Sequence, residues 1–106
     1  MGNYKLYHSK TFDKKLEDFD PAFHEWLDNI ENQLIENPYV GKPLGVTWFR
    51  EKKYGKFRVY YLIYDNVKSV YMVAISEKKD QQRVINSIRM LLDFYKKEIE
   101  NFVKPT

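Results

Sequence analysis

Arg50, Lys52, Lys53, Lys56 and Arg58 crowd into one short stretch against a single acid, Glu51. Cations neutralise phosphates, and nearby rings such as Tyr60 and Tyr64 can stack on bases; together they suit single-stranded RNA. Side chains alternate along a strand, so Arg50 and Lys52 point to one face. With Tyr54-Gly55-Lys56 as a hairpin turn, pairing brings Arg58 close to both. Arg58 shares its face with Tyr60, Leu62 and Tyr64, whereas Phe57, Val59, Tyr61 and Ile63 form an apolar face suited to helices. The expectation is a sheet with one covered face and one presenting Arg, Lys and Tyr. Lys78-Lys79, at the end of the last strand, adds a second basic cluster near the same surface. The same charge run also suits a solvated edge strand blunted against aggregation, and Tyr60 and Tyr64 also suit packing.

Other chemistries find little support. The chain has no cysteine, so it has no disulfide, thiolate nucleophile or cysteine zinc site. This is compatible with a reducing cytosol, and a cytoplasmic location is the expectation. His8 and His24 form no ligand pattern, and the glycines make no phosphate-binding loop. The acids fall on helices as solvated faces. No metal and no cofactor are expected.

The elements that must position the basic residues follow from periodicity. Tyr4 to His8 alternates as a first strand, entered directly from Met1-Gly2-Asn3 without a signal-peptide pattern. Ser9 or Thr11 caps a short helix containing Phe12, Leu16 and Phe19. Asp20-Pro21 starts a second helix, with Phe23, Trp26, Leu27, Ile30 and Leu34 as its apolar stripe. Residues 38–45 read as a loop, 46–53 as a strand, 57–64 as a central strand apolar on both parities, and 67–76 as another. From Asp80 one long helix runs to about Val103. The order β-α-α-β-β-β-α implies an α+β fold: a small antiparallel sheet, two N-terminal helices on one face and a long C-terminal helix. The 106 residues suit one domain, 1–106. No apolar run is long enough to span a membrane.

Charge is distributed unevenly. The chain carries +3 overall, with a pI near 9.0. Residues 11–37 hold eight acids against Lys14 and Lys15, a net of −6, which leaves +9 for the remainder. Such polarity orients the approach of a polyanion.

Three segments carry a family likeness. Trp48 to Tyr61 resembles the basic strand, turn and aromatic-Arg-apolar core of RelE/ParE-type toxins. Asn37-Pro38 with Gly41-Lys42-Pro43-Leu44 is similar to the loop before it, and Ser76 to Gln81 resembles the basic end of the last strand. The likeness spans roughly residues 3–92. It implies a type II toxin, silenced by a small acidic antitoxin, that cleaves mRNA on the ribosome. The implied enzyme is a metal-independent endoribonuclease, in which the ribose 2′-hydroxyl attacks the scissile phosphate. Carried over by the resemblance, Arg58, Lys52, Arg50 and Lys79 are catalytic, with Lys53, Lys56, Tyr60 and Lys78 binding RNA. RelE nucleases place a tyrosine in the last helix, where Ile85 stands nearest here. The alternatives are a ParE-like toxin that poisons gyrase and a relative that only binds RNA or a partner. The long apolar face of the last helix is a candidate dimer surface.

Overall fold

The computed structural model describes residues 3–104. Met1 and Gly2, which the expected N-terminal segment included, lie outside the described residues. Five strands form one sheet: β1 (Lys5–His8), β2 (Lys42–Pro43), β3 (Phe49–Tyr54), β4 (Phe57–Tyr64) and β5 (Ser69–Glu77). Their order is β1-β5-β4-β3-β2. β2 to β5 pair antiparallel, and β1 joins β5 in parallel. Parallel pairing requires a crossover, which is supplied by α1 (Lys10–Leu16) and α2 (Pro21–Glu36).

Local chemistry sets the boundaries. The Ser9 hydroxyl accepts the Phe12 amide at 3.1 Å and opens α1. Asp20 accepts the Phe23 amide at 2.9 Å and Pro21 takes the first position of α2. Phe23, Leu27, Ile30 and Leu34 then point inward. With Phe12 they pack against Val59, Tyr61, Ile63, Val70, Met72 and Ile75 on one face of the sheet.

The opposite face is also covered. Phe49, Tyr60, Leu62, Tyr71 and Val73 pack against Ile85 and Ile88 of α3 (Gln81–Met90) and Tyr95 and Ile99 of α4 (Leu92–Val103). The expected open face of Arg, Lys and Tyr is therefore corrected. A central strand apolar on both parities needs cover on both sides, and the C-terminal helices provide it. Those helices are also two. The chain breaks at Leu91 (φ −106°, ψ 12°), whose carbonyl accepts the Tyr95 amide and starts α4. An unbroken helix over 81–103 would be about 34 Å long, close to the 38 Å longest dimension of the molecule.

Two features set the sheet register. The β3–β4 turn holds only Gly55 and Lys56, since Tyr54 already pairs with Phe57. Gly55 takes φ +57°, which favours glycine. On β5, Tyr60 pairs with Ala74 and Tyr61 with Met72, so Val73 is an extra residue in a bulge. The bulge re-aims the end of β5, and Ser76 lands opposite Arg58.

Candidate functional site

A one-residue change in register moves a strand's side chains to the other face. The two-residue turn pairs Lys53 with Arg58 and Lys52 with Val59. Arg58 therefore shares its face with Lys53, Glu51 and Tyr60, on the α3 side. Arg50 and Lys52 share the α1–α2 side with Tyr61 and Val59. The expected meeting of Arg50, Lys52 and Arg58 on one face is corrected, because the turn is one residue shorter than the sequence reading assumed.

Arg50 is also engaged elsewhere. Its Nε donates to the Thr47 carbonyl at 2.7 Å, and Nη1 donates to those of Tyr39 at 2.9 Å and Gly41 at 2.6 Å. Its guanidinium lies 5.1 Å from the centre of the Tyr39 ring. Tyr60 is wholly buried and its hydroxyl is 2.8 Å from Ser76 Oγ, so it offers no face to a base. Burial pushes the Tyr60 phenol above its ordinary pKa. Lys79 points to Glu77 at 3.9 Å, and Lys56 lies over the Phe57 ring at 5.4 Å.

What does gather lies at the end of the sheet. A depression of about 410 Å³ is lined by Val40, Gly41, Lys42, Glu51, Lys52, Lys53, Arg58, Lys78 and Gln81. Each part has a local cause. β2 places Lys42 opposite Glu51. The Lys78 amide donates to the Lys56 carbonyl at 2.7 Å, which carries the β4–β5 ladder one residue further and fixes Lys78 at the rim. Gln81 opens α3 and donates to Glu51 Oε1 at 2.7 Å.

Two side chains here are buried and charged. Arg58 is 7 % exposed, and its Nη1 donates to the carbonyls of Gly55 and Phe57 at 3.0 Å each. Its Nε and Nη2 have no partner among the described residues. Glu51 is 5 % exposed, with its second carboxylate oxygen likewise unpartnered. No buried side-chain nitrogen or oxygen among the described residues lacks a partner, so these free atoms must be open to solvent. Neither side chain forms a salt bridge among the described residues. A carboxylate thus stands in a hollow whose other charged lining groups are all cations.

Lys53, Lys78, Lys52 and Arg58, singled out in the sequence, line the depression; Arg50, Lys56, Tyr60 and Lys79 do not. Glu51, Gln81 and Lys42 were missed. The signal for Glu51 was its place as the one acid inside a basic run. Ile85 is buried against the sheet, in the same cluster as Tyr60 and Ile88.

No protein-family model matches the chain. No curated protein matches it in sequence. Solved structures do. A variant of the Escherichia coli toxin RelE in the free state superposes with a TM-score of 0.71 at 15 % identity, over 84 % of this chain and 98 % of that one. The RelBE2 toxin–antitoxin complex of Mycobacterium tuberculosis gives 0.63 at 22 % identity, over 73 % and 93 %. The archaeal RelE–RelB complex of Pyrococcus horikoshii gives 0.62 at 17 %, over 71 % and 94 %. The fold described above is the one these chains share.

Proposed function

We propose that this chain, which has the fold of the RelE toxins, is the toxin of a type II toxin–antitoxin pair and cuts mRNA on the ribosome. The observation that carries the reading is the Glu51 carboxylate, steadied by Gln81 in a depression whose other charged lining residues, Lys42, Lys53, Arg58 and Lys78 with Lys52 at its edge, are all cations. Such a hollow suits a phosphodiester with an adjacent hydroxyl.

In the proposed reaction, the free oxygen of Glu51 takes the proton from the ribose 2′-hydroxyl. The 2′-oxygen attacks the adjacent phosphorus and the bond to the 5′-oxygen breaks. A lysine of the rim returns a proton to that leaving oxygen. The products are a 2′,3′-cyclic phosphate and a 5′-hydroxyl. Arg58 Nε and Nη2 donate to the phosphoryl oxygens as negative charge accumulates, from a site already organised before substrate arrives. Arg58 thus keeps the catalytic place that the resemblance implied, here as a phosphate contact, and Glu51, which the sequence reading did not single out, takes the base role.

The partner on this reading is a small acidic antitoxin that covers the cationic hollow; the solved RelE chains in complex with RelB support such a pairing. The place of action is the cytoplasm, where ribosomes are. Mapping of mRNA ends in translating cells tests the proposal. Expression of the wild type should produce new 5′ ends within coding regions and arrest translation, and Arg58→Ala should relieve both. Intact mRNA during arrest would contradict the reading, and DNA damage in those cells would favour gyrase poisoning.

A further inference from the structure

One wall of the depression is the segment Val40-Gly41-Lys42. Its strand, β2, is only two residues long. Two residues of pairing are a weak anchor for a wall that must stay in place. Lys42 nevertheless sits opposite Glu51, on the face of the proposed chemistry, exposed and without a salt bridge among the described residues.

The anchor comes from the other side of β3. Arg50 pairs with Pro43 in register, and its guanidinium ties together the carbonyls of Tyr39, Gly41 and Thr47. Tyr61, from β4, completes the seat. Its hydroxyl donates to the Pro38 carbonyl at 2.6 Å and accepts the Gly41 amide at 3.1 Å. The approach is close: a Cβ on Gly41 would lie 2.4 Å from the Tyr61 hydroxyl and 2.7 Å from the Glu51 carbonyl oxygen. Only glycine fits there. Arg50 is therefore committed to backbone on the face away from Glu51, while the segment it holds delivers a free ammonium to the hollow.

We propose that Lys42 is a substrate-phosphate contact of this site and that Arg50 is the positioning residue that seats it. The inference rests on the RNA-cleaving reading and deepens it. A guanidinium spreads its donors over a planar fork, whereas an ammonium concentrates them at one point. Charge alone at position 50 should therefore fail to replace Arg50.

The test measures binding of a single-stranded oligoribonucleotide over a range of salt, together with kcat and KM for cleavage. The variants are Lys42→Ala, Arg50→Ala, Arg50→Lys and the Lys42→Ala/Arg50→Ala double, with Arg58→Ala as a control. Lys42→Ala, a change at an exposed side chain, should raise Kd and KM several-fold and reduce the salt slope by about 0.7. Arg50→Ala should reproduce that loss. Arg50→Lys should not restore it, and the double variant should be no worse than Arg50→Ala alone. Hydrogen exchange at the Gly41 amide should speed up in Arg50→Ala and stay unchanged in Lys42→Ala.

An unchanged Kd and KM in Lys42→Ala, while Arg58→Ala loses activity, overturns the inference and leaves the reading standing. Full rescue by Arg50→Lys, or losses that multiply in the double variant, would mean that Arg50 touches RNA itself and would also overturn it. A wild type that neither binds nor cleaves RNA removes the reading and the inference together.

Discussion

Arg58 and Glu51 are both nearly buried, yet each keeps an unpartnered polar atom in contact with solvent. Arg58 fixes its orientation with Nη1 on two carbonyls of its own hairpin and leaves Nε and Nη2 for an anion. Glu51 fixes its orientation through Gln81. Orientation by a second hydrogen bond is what makes a buried charge useful, because the reaction then requires no rearrangement. Arg58→Ala should lower the rate of RNA cleavage by about 10²–10³-fold, as loss of a preorganised donor does. Gln81→Ala should cost less, because it loosens Glu51 without removing it. Circular dichroism and single-turnover cleavage on the same samples separate loss of activity from loss of fold. Glu51 was visible in the sequence only as an interruption of a basic run. Its burial, which gives it meaning, depends on pairing with Lys42, Tyr60 and Gln81, which are distant along the chain.

At the scale of elements, His8 joins three of them. It ends β1, and its ring nitrogens lie 2.6 Å from Asp13 Oδ1 of α1 and 2.5 Å from Glu31 Oε2 of α2. Two carboxylates on both nitrogens call for an imidazolium, since a neutral ring has one N–H. Burial opposes that charge, but the hydrogen bonds and charges of Glu31 and Asp13 outweigh it, and the His8 pKa is raised above its ordinary value. A folded pKa raised above the unfolded one stabilises fully below the unfolded pKa, and that stability is lost as pH rises through the folded pKa. His8→Gln should therefore destabilise by about 1.5–3 kcal/mol in mildly acidic buffer. The deficit should shrink as pH rises past the imidazole range, as denaturant titration at several pH values would reveal. On the other face, Ile99 is 1 % exposed beneath α4. Ile99→Ala should cost about 2–5 kcal/mol in the same titration.

The elements were legible to different degrees, for physical reasons. Asp20-Pro21 marks the start of α2 because capping chemistry is local. The central place of β4 shows in its two apolar parities, but the sequence reading left one face open and did not draw from them the cover that α3 and α4 provide. The β3–β4 register did not show, because Tyr54 could close a three-residue turn or pair with Phe57, and the sequence around Gly55 suits both. That single residue decides whether Lys52 or Lys53 faces Arg58. β2 was hidden because two residues carry no period. The break at Leu91 was hidden because the apolar repeat runs through it.

At the scale of the whole molecule, charge is segregated between the acidic α1–α2 layer and the basic end of the sheet. Residues 11–37 hold −6 within a chain of +3. A polyanion is therefore drawn to the hollow and repelled from the opposite layer. RNA affinity should fall steeply with salt, and Lys53→Ala or Lys78→Ala should each reduce the slope by about 0.7. Filter binding at graded salt checks this, with Lys14→Ala on α1 leaving the slope unchanged. An acidic antitoxin should compete with RNA and show the same salt sensitivity. The central claim is that a carboxylate among cations activates a ribose hydroxyl. Single-turnover cleavage of mRNA on programmed ribosomes, with end-group analysis, tests it most directly. The wild type should leave 2′,3′-cyclic phosphate and 5′-hydroxyl ends, and Glu51→Gln should be about 10²–10⁴-fold slower with RNA binding intact. Equal rates for the two proteins, or an absence of cleavage by the wild type, would contradict the account.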